Sequence, residues 1–201
     1  MRILPTAYWG DIEYFAHLLQ GGGECVIDIH EHFIKRSLRN RTVIMTANGT
    51  MPLSVNLRHA DRPRTPVCDV RIDYSKRWQH LHWTAICSAY RSSPYFDAVA
   101  DRMARFYERE WRFLVDYDME ILCATFDLLA VEPRFTLSDA YIEPQAGTCD
   151  LRPKRRETAF AAPRYFQLFS DRLPFAPNIS VLDLLMCEGT HATDVLRNCQ
   201  L

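Results

Sequence analysis

Cys25-Val26-Ile27-Asp28-Ile29 runs directly into His30-Glu31-His32-Phe33-Ile34-Lys35-Arg36-Ser37-Leu38-Arg39-Asn40-Arg41, and then into Thr42–Ala47, Asn48-Gly49 and Met51–Leu57. The first five residues alternate and are partly β-branched, which predicts a strand. Asn-Gly between two apolar runs is a strong hairpin signal. The residues between are therefore a loop leaving the end of a strand, where α/β sheets usually hold their ligands.

Working outward, residues 2–8 read as a short strand entering a turn. Ile12, Phe15, Ala16 and Leu19 then recur at helical spacing until Gly21-Gly22-Gly23. Residues 59–68 hold Pro63 and Pro66 among charges and read as a surface loop. Val67–Asp73 reads as another strand. Ser75 is a suitable cap for a helix to about Tyr90. Ser92-Ser93-Pro94 opens a second helix, with Phe96, Val99, Met103 and Phe106 on its apolar face. A third helix runs from Trp111 or Val115 to Ala130. Residues 133–164 read as loops with a strand or two. Ser180–Glu188 is an apolar helix that Ser180 caps, and His191–Cys199 forms another. Strands first, helices next and mixed elements last predict an α/β fold: a single domain over 1–201 with a mixed β-sheet packed by helices, α+β being the neighbouring possibility.

The chain has 201 residues, 24 basic and 25 acidic, for a formal charge of -1. That balance, with short basic segments that lack interleaved aromatics, excludes a nucleic-acid-coating role. No stretch reaches the roughly eighteen apolar residues of a membrane helix, and Met1–Thr6 has no apolar core of a secretory signal. Seven widely spaced cysteines without a Cys-x-x-Cys pair favour free thiols, most of them small core residues, in a reducing cytoplasm. There is no dinucleotide fingerprint, phosphate loop or Gly-x-Ser-x-Gly, so no cofactor is expected.

Four of the seven residues Lys35–Arg41 are cationic, and guanidinium groups take phosphate or carboxylate bidentately. An anionic small molecule is the functional reading; a solvated loop pairing with surface acids is the plain one. His30 and His32 share a strand face, but no third ligand is placed by spacing, so no metal is expected. His82, Ile86 and Tyr90 share one helix face, which makes His82 either a general base or a satisfied core group beside Trp78 and Trp83. Asp150-Leu151-Arg152-Pro153-Lys154-Arg155-Arg156 reads as a solvated loop. Asp183 falls inside an apolar helix and must find donors there; an arginine of the first loop is one such partner.

Together, Phe33–Arg41 with Asn48-Gly49, Val70–Ser75, His82–Phe96 and Pro177–Leu185 make the chain resemble the short members of the WbqC-like family of bacterial proteins, in the family's order and over nearly the whole length. One departure is near the front, where Tyr8-Trp9-Gly10-Asp11 stands in place of a Tyr-x-Pro turn; Glu188-Gly189-Thr190 also replaces a more usual glycine-proline ending. The resemblance implies a cytoplasmic step in making or decorating surface polysaccharide or O-antigen. It maps the basic element to Arg36, Arg39, Asn40 and Arg41, the helix motif to His82, Trp83 and Tyr90, and the last motif to Asn178, Ser180 and Asp183. The expectation is a transferase acting on an activated anion, such as a nucleotide-linked sugar or an acyl donor. Lys35, Arg36, Arg39 and Arg41 would hold the anion, Asn40 would orient it, and Asn178 and Ser180 would also bind the substrate. His82 would be the base with His32 second, and Tyr90 and Asp183 would position them. The alternative is a non-catalytic binding or scaffold protein. The enzyme reading requires Arg39 and His82 to face one cleft.

Overall fold

The computed structural model describes residues 1–58, 64–154 and 159–201. Its central sheet has four short strands in the order β7-β2-β1-β8: β1 (Arg2–Leu4), β2 (Cys25–Ile27), β7 (Phe135–Leu137) and β8 (Cys149–Asp150). All three pairings are parallel, with Leu4 opposite Ile27, Ile27 opposite Leu137 and Ile3 opposite Asp150. Ile3, Leu4, Cys25 and Ile27 are fully buried, as central parallel strands require. The antiparallel pairing lies apart from this sheet, in a hairpin of β3 (Arg41–Thr46) and β4 (Gly49–Ser54) and a ribbon of β5 (Leu57–Arg58) and β6 (Arg71–Ile72). The α/β class holds, and the mixture of directions is between sheets.

Among the described residues six α-helices pack with these strands: α1 (Ile12–Gln20), α2 (Trp78–Tyr90), α3 (Phe96–Glu108), α4 (Leu114–Leu129), α5 (Val181–Glu188) and α6 (Ala192–Arg197). Asp11 caps α1 by accepting from the Tyr14 N–H at 2.9 Å, and Ser180 caps α5. Ala130 closes α4 in the left-handed region. Two expectations shift. Ser75 does not cap α2: its N–H and hydroxyl both go to Asp73 at 2.9 Å, so the turn is closed by the aspartate and the helix begins three residues later. The strand expected over Val67–Asp73 is shortened to Arg71–Ile72, because Val67–Asp69 coils into a 3₁₀ turn after Pro66.

One aromatic core joins the helices to the sheet. Trp9 meets Phe106 edge-on at 5.6 Å, and Trp111 lies 4.9 Å from Tyr117. Asp118 of α4 is fully buried in this core, and burial holds its carboxyl well above the usual range, so it sits there as a neutral acid beside Thr6. All seven cysteines are free. Cys25, Cys187 and Cys199 are buried and Cys68 and Cys87 half-buried, but Cys123 and Cys149 reach the surface, so fewer are core residues than their apolar contexts suggest.

Candidate functional site at the carboxyl edge of the parallel sheet

The four parallel strands end on one edge, and β2, β7 and β8 hand their next residues to a common network. Asp28, after β2, is fully buried. It accepts from the His30 N–H at 3.0 Å, the Ser138 hydroxyl after β7 at 3.0 Å, the Ile142 N–H at 3.2 Å, and Arg152 after β8 at 2.5 Å. Arg152 also forks onto Asp150, with both contacts at 2.8 Å. Its backbone carbonyl accepts from Arg39 at 3.0 Å. Arg39 in turn forks onto Glu31 and donates to the Ser37 hydroxyl at 3.1 Å. Arg39 is 1% exposed. Burial pushes the Glu31 carboxyl up, to about 7, while the Arg39 guanidinium pulls it back down. Charges taken this far from water persist only when paired, and every one here is.

This overturns the plain reading of Asp150–Arg156. Arg152 is a buried element of the network rather than a solvated residue, because two carboxylates neutralise it. Arg155 and Arg156 lie outside the described residues.

The basic loop is split by this arrangement. Arg39 is committed inward to Glu31. Asn40 is also buried, its amide donating to the Val55 carbonyl at 3.2 Å. Lys35 and Arg36 are exposed, Arg36 at a positive φ of 55°, and Arg41 is half-buried at the start of β3. Two histidines complete the outer rim. His32 is exposed and stacks on Tyr141 at 6.1 Å, and the Arg152 guanidinium lies 5.0 Å from that same tyrosine ring. His30 is half-buried, its Nδ1 3.9 Å from the Cys68 Sγ. Among the described residues no group of three or more His, Cys, Asp or Glu is clustered to hold a metal ion.

His82 sits deeper, 6% exposed on α2. Its Nδ1 is 2.8 Å from the Tyr8 hydroxyl. The Tyr8 hydroxyl also shares a hydrogen bond of 3.1 Å with the Tyr107 hydroxyl, which accepts from the Trp9 indole at 3.0 Å. Burial pushes the imidazole down to about 4, so it is neutral at pH 7. The Tyr8 N–H donates to the Leu38 carbonyl at 2.9 Å. Arg39 and His82 are thus joined through Tyr8, but they do not open onto one cleft. Each is buried with its polar atoms engaged inside the protein.

The last motif is also internal. Asp183 is fully buried and accepts from the Tyr90 hydroxyl at 3.0 Å, the Tyr165 hydroxyl at 2.8 Å and the Gln167 amide at 3.0 Å. These neutral donors take the place of the expected arginine, since the arginines of the loop are held at the sheet edge. Tyr90 also receives the Met45 N–H at 3.0 Å, which ties α2, α5 and the hairpin together. Ser180 is fully buried and donates to the Trp9 carbonyl at 3.0 Å. Asn178 brackets Glu13, accepting its N–H at 3.0 Å and donating to its carboxylate at 3.2 Å.

Sequence reasoning passed over Tyr8, Trp9, Asp28, Glu31 and Cys68. Asp28 carried the clearest signal: a carboxylate inside an apolar strand run needs internal donors. Trp9 has a positive φ of 45°, held by two hydroxyls on its carbonyl, from Thr42 at 2.7 Å and Ser180. The Gly10-Asp11 that follows marked the turn but not the strained residue.

An α/β protein with a charged network at the carboxyl edge of a parallel sheet is the class that fold and geometry define. The WbqC-like protein family matches residues 7–152, and the chain belongs to that family. It is 26% identical over 208 positions to a Mycobacterium tuberculosis protein named uncharacterized protein Rv1507c, which covers 88% of this chain and 89% of the relative. No solved structure matches it. Among the described residues no helix is long and apolar enough to cross a membrane.

Proposed function

We propose that the chain is a transferase acting on an activated anionic small molecule, a nucleotide-linked sugar or an acyl donor, in a cytoplasmic step of bacterial surface polysaccharide or O-antigen biosynthesis. What carries this reading is the division of the basic loop: Lys35, Arg36 and His32 are exposed on a segment whose root is clamped by the Arg39–Glu31 and Arg152–Asp28 pairs. A rigid base with a cationic rim suits repeated capture of an anion. In this reading Lys35 and Arg36, with the half-buried Arg41, meet the anion. His32 is the base, because its exposed imidazole on the rim reaches substrate. Arg39, Asn40, His82, Tyr90, Asn178, Ser180 and Asp183 are positioning residues. The polysaccharide context rests on the family resemblance.

The test is complementation of a host strain lacking the gene. His32→Ala is expected to lower the polysaccharide product about a hundredfold or more while the purified variant melts like the parent. Full product from a stably folded His32→Ala chain overturns the catalytic assignment. If Lys35→Ala/Arg36→Ala then abolishes product on its own, the loop acts by binding and the protein is a scaffold.

A further inference from the structure

The β5–β6 ribbon carries a second, differently built set of arginines. Its register puts Arg58 directly opposite Arg71. Directly opposed side chains share a face of the ribbon, and like charges there repel. On the other edge of β6, Arg71 bridges to Phe113, and the Ile72 N–H donates to the Arg112 carbonyl at 3.2 Å, so Arg112 joins the same place. The Arg71 and Arg112 guanidiniums lie 5.6 and 5.1 Å from the Phe113 ring centroid. All three arginines are exposed, and among the described residues none of them is in an ion pair.

These side chains line one cavity of about 300 Å³, closed by Tyr74, Trp111 and Glu110. Its walls are fixed rather than loose. The Tyr74 hydroxyl accepts the Trp111 N–H at 2.8 Å and donates to the Trp111 carbonyl at 3.2 Å. Asp73, held by both donors of Ser75, is a carboxylate whose charge also acts on Arg58. Three guanidiniums stand in the cavity lining with one carboxylate, Glu110. A groove of about 510 Å³ adjoins it, sharing Glu110, Trp111 and Arg112 and reaching Met119 and Cys123 on α4.

We propose that this cavity binds the diphosphate group of a phosphorylated small molecule. Guanidinium forks match phosphate oxygens, and three of them suit a polyvalent anion better than a lone carboxylate. The cavity volume is at the lower end for small-ligand sites, and the adjoining groove takes what the diphosphate is attached to. The three cations outnumber the two carboxylates that meet them, Glu110 in the wall and Asp73 near Arg58, and the directly opposed Arg58 and Arg71 repel, which an anion relieves. The site shares no residue with the histidine rim and stands without the transferase reading.

The experiment is calorimetric titration of the full chain with inorganic pyrophosphate, UDP and orthophosphate, followed in parallel by tryptophan fluorescence. Pyrophosphate is expected to bind, and Arg71→Gln/Arg112→Gln is expected to weaken it about tenfold or more. Pyrophosphate binding lost in Lys35→Ala/Arg36→Ala and kept in Arg71→Gln/Arg112→Gln would place the anion at the rim and overturn the proposal; the reverse pattern is expected and separates failure of this site from failure of the rim. UDP tighter than pyrophosphate assigns a nucleotide; equal affinity assigns a sugar- or lipid-linked diphosphate. The proposal is overturned if neither ligand binds at millimolar concentration, or if the folded double variant binds as tightly as the parent. Should the double variant not fold, Arg58→Gln, on an exposed two-residue strand, gives the same reading with a several-fold loss expected.

Discussion

Arg39 and Arg152, at the carboxyl edge of the parallel sheet, are buried and each is matched to carboxylates; Arg58, Arg71 and Arg112, around the β5–β6 ribbon, are exposed and matched chiefly to one another. The first set has its charge neutralised inside the protein and fixes the backbone around it. The second keeps its charge available. Counting cations along a chain does not tell these apart, since the run Lys35–Arg41, with four cations in seven residues, contains one of the most deeply buried guanidiniums among the described residues. What separates them is whether a carboxylate from a distant element arrives to meet each one.

The comparison can be broken most forcefully at Glu31. Glu31→Gln leaves the Arg39 guanidinium buried without its counter-charge and is expected to cost about 3–5 kcal/mol in denaturant unfolding. Replacing both partners with apolar residues of similar volume, Glu31→Leu with Arg39→Met, should recover most of that loss. A double variant no better than the single one would mean that Arg39 is held by something other than charge pairing.

Acid titration sharpens the contrast between buried and exposed groups. The folded state holds His82 at about 4, below its ordinary 6.5. The unfolded chain therefore takes up a proton first, and the stability His82 contributes is present above pH 6.5 and lost as pH falls from 6.5 to 4, about 3 kcal/mol in all. Glu31 acts in the opposite sense: raised to about 7, it favours the native state increasingly as pH falls from 7 to its ordinary 4.5. The His82 part is isolated by comparing the parent with His82→Gln. The stability difference between them should shrink by about 3 kcal/mol from pH 7 to pH 4; a constant difference would show an imidazole that titrates normally.

The smallest effect belongs to the exposed set. Arg71→Gln removes a like-charge opposition and is expected to change stability by no more than about 0.5 kcal/mol, in the stabilising direction, in low-salt thermal melts. A loss of about 2 kcal/mol or more would place Arg71 with the structural arginines.

Much of the secondary structure was legible because local rules decided it. The apolar spacing of α1, α3 and α4, the Asn48-Gly49 hairpin and the Ser180 cap all depend on near neighbours. Where a short polar side chain could serve two geometries, the reading slipped: Ser75 looked like a cap and instead closes a turn on Asp73. The site was legible only in its residue types. His82 and Asp183 were noticed because polar groups on apolar helix faces must be satisfied. Their partners, Tyr8 and Tyr165, lie 74 and 18 residues away, and no spacing rule reaches them. The ribbon arginines were hidden for the same reason, since Arg58 and Arg71 become neighbours only through β pairing.

The strand β1 sits between β2 and β8, and the carbonyl just beyond it, on Trp9, is held by Thr42 and Ser180. The residues of β1 and Trp9 thus leave the ribosome well before the partners that complete them. One flank of β1 waits for residues 149–150, and the left-handed kink at Trp9 waits for the helix that starts at Val181. Folding during synthesis must therefore leave an unsatisfied parallel edge open until residues 149–150 have been made, and that interval is when a nascent chain of this kind is most exposed to wrong pairing.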